Sequence, residues 1–195
     1  MILYFAPGAC SLADHIALRE AGLAFDTVQV DLKTHTTEDG RDYGGVNPKG
    51  YVPALVLDDQ QLLTENIAIL SWIADRAPAL GVDGDLGRYR LLETLAFISA
   101  ELHKAFKPFF NPAADAGAKA EAAKVIERRL DFIATQLSGE HLFGRDFSVA
   151  DAYLFVMLTW AEKNGLRRPA ALAAYQERIR ARPAVEHAMQ QEGLA

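Results

Sequence analysis

The pattern of apolar residues changes once along this chain of 195 residues, in the segment from Pro78 to Gly87. Before it, apolar runs of strand length alternate with stretches of helical period, and after it only helical periods occur. Alternating strands and helices form a sheet covered by helices, whereas a run of helices packs on itself. The change predicts an α/β domain in residues 1–77, a linker in residues 78–87 and an all-helical domain in residues 88–195.

The first domain is predicted to have the order β-α-β, loop, β-β-α. Apolar runs indicate the strands, and amphipathic stretches that end at Gly22 or Pro78 indicate the helices. The first two strands are expected to be parallel, because a helix connects them. The expected elements are strand 2–6, helix 11–20, strand 25–31, an irregular loop 33–51, a hairpin 53–64 and helix 64–78.

The second domain is predicted to contain helices only. The stretch 148–164 is apolar on nearly all sides, so this helix is expected to be buried. Its first residues, SVAD, place Ser148 and Asp151 at the spacing of an N-terminal cap. The expected helices are 88–110, 116–137, 148–164 and two shorter ones, the last beginning at Pro183.

Charge and composition argue against several classes of protein. The net charge of -6 disfavours binding to nucleic acid or to an anionic membrane, since both would repel the chain. No apolar run approaches the roughly 18 residues of a membrane span, and MILYFAPGA does not resemble a signal segment. A single cysteine rules out an internal disulfide and fits a reducing compartment. A cytoplasmic protein is therefore expected.

The one cysteine, Cys10, lies where the first strand gives way to the first helix. Unpaired N–H groups and the helix dipole at such a place lower the pKa of a thiol, which makes Cys10 a candidate reactive thiolate. A cysteine packed under the sheet is the alternative. Ala13 stands where a C-x-x-C motif would have its second cysteine, so a mechanism through Cys10 requires an external thiol.

Two further segments suggest a ligand that resembles a peptide. In NPKGYVPAL, Pro53 holds Val52 extended, so the Val52 backbone is suited to pair with an extended peptide; an ordinary strand-entry proline is the alternative. In LLTENIAI, Glu65 and Asn66 begin a helix whose N–H groups suit a carboxylate, while Glu65 suits an ammonium group. A plain helix cap is the alternative there. A thiol, a backbone site and an amino-acid site together describe glutathione.

The segments PGACSL, NPKGYVPAL, LLTE, ELHKAF and SVADAYLF resemble, in this order, the bacterial beta class of glutathione transferases. The resemblance covers essentially the whole chain. It implies a thioredoxin-like domain followed by an all-helical domain, a homodimer, and glutathione as co-substrate. It also implies a cis peptide bond before Pro53, a purely structural capping role for Asp151, and a mixed disulfide between Cys10 and glutathione.

The resemblance assigns a glutathione site and two catalytic residues, Cys10 and His103, beside the glutathione sulfur. Val52 would bind the tripeptide backbone, and Glu65 with Asn66 would hold the γ-glutamyl group. The residues implied to contact glutathione are Cys10, His35, Val52, Pro53, Glu65, Asn66, His103 and Lys104.

Two positions depart from the pattern of the family. His35 stands where many members have a lysine that reaches a glutathione carboxylate, and a histidine is mostly neutral near pH 7. Ala96 stands where relatives have an asparagine near the sulfur. The other histidines, His15, His141 and His187, are interpreted as ordinary surface or helix residues. No pair among the five histidines has the spacing of metal ligands, so no metal is expected.

The predicted activity is conjugation of glutathione to small hydrophobic electrophiles, in a pocket that the helical domain lines. Cys10 adds the prospect of glutathione-dependent thiol–disulfide exchange. The alternative is a binding or interaction protein that has the fold without the activity. Retention of Cys10, Pro53, Glu65 and His103 favours the enzyme, while His35 and Ala96 count slightly against it.

Overall fold

The computed structural model describes residues 1–194. The strands are β1 (Ile2–Phe5), β2 (Asp26–Asp31), β3 (Thr36–Thr37), β4 (Ala54–Val56) and β5 (Leu62–Thr64). The helices are α1 (Leu12–Glu20), α2 (Asn66–Arg76), α3 (Gly87–Phe97), α4 (Lys107–Phe110), α5 (Ala116–Gln136), α6 (Val149–Lys163), α7 (Ala170–Arg180) and α8 (Pro183–Gln191). No helix within residues 1–194 combines the length and the apolar character that crossing a membrane requires.

The strands form one mixed sheet in the order β3-β2-β1-β4-β5. β1 and β2 are parallel, with Ile2 opposite Asp26, while β4 pairs antiparallel with both β1 and β5. The predicted fold class, a thioredoxin-like α/β domain followed by helices, is confirmed. The sequence analysis missed β3, because a two-residue strand inside a polar loop has no detectable period.

The stretch predicted as one helix over residues 88–110 is helical throughout but not uniform. α3 passes into a π-helical turn, Ile98–Leu102, then a 3-10 turn, His103–Phe106, and then α4. Pro108 has no N–H to bond the carbonyl of Lys104, and this carbonyl instead accepts from the Lys107 N–H. The change of helix type therefore has a local cause, and it falls where His103 lies.

The helical domain is built around α6. Every residue from Val149 to Leu158 is buried, as the apolar pattern predicts. Asp151 Oδ2 accepts hydrogen bonds from the N–H and the hydroxyl of Ser148 at 2.8 and 2.6 Å. Asp151 Oδ1 accepts from the Leu142 N–H at 2.8 Å and the Tyr175 hydroxyl at 2.7 Å. The predicted cap is therefore present, and it also ties α6 to α7.

The two halves of the chain share one apolar core, because α1 packs against both α6 and α8. His15 is a helix residue, on α1, as the sequence interpretation allowed, but it is fully buried, whereas His141 is buried and outside any helix, which corrects that interpretation. His15 Nδ1 lies 2.9 Å from Glu192 Oε1, and His15 Nε2 lies 2.9 Å from Gln191 Oε1. Glu192 also accepts from the Gly8 N–H at 2.9 Å, so the end of the chain holds the loop after β1.

Candidate active site

A cavity of about 1540 Å³ lies between the α/β domain and the helical domain. Seven of the eight residues predicted to contact glutathione line it. Tyr153 and Trp160, on α6, and Ser99, in the π-helical turn, line it as well. The predicted residues in the lining are Cys10, Val52, Pro53, Glu65, Asn66, His103 and Lys104.

Cys10 lies in the loop between β1 and α1, two residues before the helix begins. Its thiol donates to the Val52 carbonyl at a Sγ–O distance of 3.5 Å, which links this loop to the segment before β4. The peptide bond between Val52 and Pro53 is cis, as the resemblance implies. The carbonyl of Tyr51 accepts from Tyr43 Oη at 3.0 Å and Asn47 Nδ2 at 2.7 Å, so the backbone beside Cys10 is firmly held.

The protonation state of Cys10 differs from the sequence prediction. Burial, together with the charges of Asp14 and Glu65, raises the pKa of the Cys10 thiol to about 12. Hydrogen bonds from the backbone N–H groups of Cys10 and Ser11 lower the pKa, but by less than burial and the two charges raise it. Cys10 is therefore a neutral thiol near neutral pH and serves as a hydrogen-bond donor, not as the expected resting thiolate.

Glu65 immediately precedes α2 in a left-handed conformation, with φ of 74°. Its Oε1 accepts from the Lys49 ammonium and from the Tyr51 hydroxyl, the latter at 2.7 Å. These two hydrogen bonds lower the pKa of Glu65, so the carboxylate stays ionised. The left-handed backbone is costly for a residue with a side chain, and such strain concentrates at functional sites. Lys49 was missed by the sequence analysis because its contact with Glu65 is not local.

Asn66 begins α2, but its side chain points into the protein. Its Nδ2 donates to the Cys10 carbonyl and to Asp14 Oδ2, both at 2.9 Å. The Asn66 side-chain amide is thus already hydrogen-bonded within the protein. The backbone N–H groups at the start of α2 are the donors available to a ligand carboxylate. Asp14 is fully buried and its Oδ1 has no hydrogen-bond partner, so burial raises the pKa of this carboxyl well above its usual range.

His103 lies at the opposite wall, where its Nδ1 is 2.7 Å from the Tyr153 hydroxyl. Its ring packs edge-on against Tyr153 and Trp160, with centroids 5.9 and 5.0 Å away. Burial, together with the charge of Lys104, lowers the pKa of His103 to about 4. The imidazole is therefore neutral near neutral pH, which favours a role as hydrogen-bond donor to the sulfur over a role as proton shuttle.

His35 and Ala96 are both exposed and are not among the residues that line the cavity. The His35 ring lies beside Gly50, where an added Cβ would be 3.3 Å from His35 Cε1. His35 therefore lies beside the segment that leads to Val52 but outside the cavity lining, and its contact with glutathione stays a prediction. Within residues 1–194, no group of three or more His, Cys, Asp and Glu side chains is arranged to hold a metal ion.

Comparison with known proteins agrees with this geometry. The family model of the glutathione S-transferase N-terminal domain matches residues 9–76, and that of the C-terminal domain matches residues 116–185. Glutathione S-transferase GstA of Escherichia coli O157:H7 is 44% identical over 200 residues, which cover 100% of both chains.

Two solved structures match along the full length. A sphingomonad glutathione S-transferase complexed with glutathione is 50% identical, with a TM-score of 0.92 and 100% of both chains covered. The bacterial beta class glutathione S-transferase of Sphingomonas chungbukensis is 49% identical, with a TM-score of 0.92 and the same coverage of 100%. The chain therefore belongs to the glutathione S-transferase family, and within it to the bacterial beta class.

Proposed function

We propose that this protein conjugates glutathione to hydrophobic electrophiles in the cavity between its two domains. The observation that carries the proposal is the make-up of that cavity. One wall offers a thiol, an extended backbone and a helix start with a carboxylate, at Cys10, Val52 and Glu65. The facing wall is aromatic, with Phe109, Phe110 and Trp160. A short thiol peptide fits the first wall and an apolar acceptor fits the second.

Glutathione is expected to lie along the first wall. Its γ-glutamyl ammonium would meet Glu65, whose carboxylate is ionised, and its γ-glutamyl carboxylate would meet the N–H groups at the start of α2. Its backbone would run beside Val52, which brings its sulfur to Cys10 and His103. Lys49 also belongs to the proposed site. Its ammonium already binds the Glu65 carboxylate and must share it with the glutathione ammonium or yield it to that group.

The chemical step is attack by the glutathione thiolate on an electrophilic carbon. A C–S bond forms, the leaving group departs with its electron pair, and the thiol proton passes to solvent. His103, and Cys10 once its S–H turns away from the Val52 carbonyl, act as neutral donors toward the sulfur, which favours its anionic form and lowers the pKa of the bound thiol. The Tyr153 phenol stays protonated because burial raises its pKa. A phenol that donates to His103 Nδ1 leaves the ring proton on Nε2, as a sulfur donor requires.

Thiol–disulfide exchange through Cys10 is the second candidate activity. The Cys10 thiolate would attack a mixed disulfide between glutathione and another thiol, that thiol would leave as its thiolate, and a free glutathione would resolve the Cys10–glutathione disulfide and form glutathione disulfide. The position of Cys10 in the lining favours this reaction, but its raised pKa makes it slow at neutral pH. Conjugation is therefore the main activity proposed.

We also propose a role for each domain, an oligomeric state and a cellular location. Residues 1–77 would bind glutathione, residues 78–87 would link the domains, and residues 88–195 would line the electrophile pocket. A cytoplasmic homodimer is proposed on the strength of the family. Phe132, on α5, supports a helical interface, because it is 49% exposed although it packs against Phe97 at a centroid distance of 5.2 Å.

The test is conjugation of glutathione to chlorodinitrobenzene by the full chain, with the Cys10→Ala and His103→Gln variants beside it. Loss of either donor is expected to lower kcat by about tenfold, because one charge-assisted hydrogen bond to the sulfur is lost. In parallel, wild type and Cys10→Ala are incubated with glutathione disulfide, and the intact mass of each protein is measured. A wild type that accelerates no conjugation and is not stabilised by glutathione would overturn the proposal in favour of a binding or interaction protein.

A further inference from the structure

One part of the cavity lining comes from the C-terminal end of α6, from α7 and α8 and from the segment after α8. Trp160 Nε1 donates to the Gly8 carbonyl at 2.8 Å, so the indole lies against the loop that carries Cys10. A Cβ at Gly8 would be 3.3 Å from Leu194 Cδ2, which places the C-terminal segment against the same loop. We call this part the distal lobe, and its lining comprises Gly8, Trp160, Lys163, Arg180, Met189 and Leu194.

The charges around the whole cavity are opposite in sign to the charge of the chain. The protein has a net charge of -6, yet the lining holds three cations, Lys104, Lys163 and Arg180. Glu65 is the one carboxylate in the lining, and Lys49 already neutralises it. Lys104 is near the proposed glutathione site, whereas Lys163 and Arg180 belong to the distal lobe. Because Arg180 pairs with carboxylates outside the lining, Lys163 supplies most of the positive charge that this lobe presents.

The two cations of the distal lobe are paired to different extents. Arg180 Nη2 donates to Glu162 Oε2 at 2.6 Å, and Glu162 also pairs with Arg168 at 3.0 Å. Arg180 Nε makes no hydrogen bond but lies 3.7 Å from Glu177 Oε1, so two carboxylates pair with this guanidinium. Lys163 is exposed, and within residues 1–194 no carboxylate lies in ion-pair range of it. Lys163 is thus the cation with most of its charge available.

We propose that the distal lobe binds an anionic group of the electrophile, so that the preferred acceptors are apolar electrophiles bearing a carboxylate. This inference rests on the proposed function, whose glutathione site it leaves unchanged. Gly8 is two residues from Cys10, so their Cα atoms are at most about 7 Å apart. An aromatic acceptor that packs on Trp160 therefore reaches the sulfur with one end and the lobe with the other. A carboxylate at the far end of the acceptor would meet the Lys163 ammonium.

The test compares two acceptors that differ in one charge. Chlorodinitrobenzoate, with its carboxylate para to the chlorine, is compared with neutral chlorodinitrobenzene in wild type and in Lys163→Gln. The variant is expected to raise the KM for chlorodinitrobenzoate by about threefold to fivefold, as for a partly solvated ion pair. Its KM for chlorodinitrobenzene and for glutathione is expected to change by less than about twofold, and Lys163→Arg is expected to behave as wild type.

Lys124→Gln is the matched control, because it removes the same charge from a lysine that is 72% exposed on α5, outside the cavity. A rise in the KM for chlorodinitrobenzoate in Lys124→Gln as large as that in Lys163→Gln would assign the preference to overall charge and overturn the proposal. An unchanged KM for chlorodinitrobenzoate in Lys163→Gln, with wild-type conjugation of both acceptors intact, would overturn it while leaving the proposed function in place. Conjugation of neither acceptor by wild type would overturn both.

Discussion

The Tyr153 hydroxyl lies 2.7 Å from His103 Nδ1, and this contact joins α6 to the 3-10 turn at the sulfur end of the cavity. The ring of His103 is also confined by Trp160, at a centroid distance of 5.0 Å. Because burial keeps the imidazole neutral and the phenol protonated, the pair has one orientation in which His103 presents an N–H to the cavity. Tyr153 is thus a positioning residue that acts through His103.

Tyr153→Phe is expected to lower kcat by about threefold to tenfold, because it removes the hydrogen bond that orients the imidazole. The KM for glutathione is expected to change by less than about twofold, since Tyr153 lies outside the peptide-binding wall. Steady-state conjugation kinetics test this. A double variant with His103→Gln is the control: an additive loss in the double variant would mean that Tyr153 does not act through His103.

The ionisation of Cys10 makes a second prediction. With a pKa of about 12, the rate of alkylation of Cys10 by iodoacetamide is expected to rise about tenfold for each pH unit up to about pH 10. A plateau below about pH 9 would contradict a buried thiol. The folded-state pKa lies above the ordinary cysteine value of about 9, so Cys10 leaves stability unchanged below about pH 9 and lowers it as the pH rises further. Cys10→Ala is expected to remove this alkaline loss, measured by urea unfolding.

Asp14 makes a third prediction, because it is fully buried with Oδ1 unpartnered. Its folded pKa is raised, so its contribution to stability is fully present below the unfolded pKa and is lost as pH rises through the folded pKa. Asp14→Asn retains an acceptor for Asn66 and is expected to stabilise the protein at about pH 8 and less so at about pH 5. Urea unfolding at the two pH values measures the difference, and an equal effect at both would refute the raised pKa.

Removal of the Asn66 side chain tests the same contact from its other end. Asn66→Gly is expected to lower the free energy of unfolding by about 1–3 kcal/mol, because Asp14 then loses its donor in the interior. Combining it with Asp14→Ala is expected to cost less than the sum of the two single changes, because the buried acceptor disappears together with its donor.

Glu192 makes a fourth prediction, which concerns the joining of the two domains. Glu192→Ala leaves both His15 Nδ1 and the Gly8 N–H without their acceptor, so the free energy of unfolding is expected to fall by about 3 kcal/mol. The rate of glutathione conjugation is expected to fall as well, because Gly8 belongs to the loop that carries Cys10. Glu186→Ala, an exposed residue on α8, is the control and is expected to change stability by less than about 0.5 kcal/mol.

The sequence by itself determined the features that depend on neighbours along the chain. The apolar periods predicted the order of strands and helices and the change of class after Pro78. The cap formed by Ser148 and Asp151 was predictable because its two residues are three positions apart. The place of Cys10 between a strand and a helix was predictable for the same reason. These features depend on residues within one or two helical turns of each other, so they do not depend on how the rest of the molecule folds.

Tertiary structure alone decided which side chains are ionised and which are already hydrogen-bonded within the protein. Cys10 is a thiol and not a thiolate because residues from both domains bury it, and burial outweighs the local helix start. Asn66 turns inward because Asp14, distant by 52 positions, accepts from it. His103 is fixed by Tyr153, 50 positions away. Desolvation and hydrogen bonding depend on atoms that only folding brings together, which is why these outcomes have no local signature in the sequence.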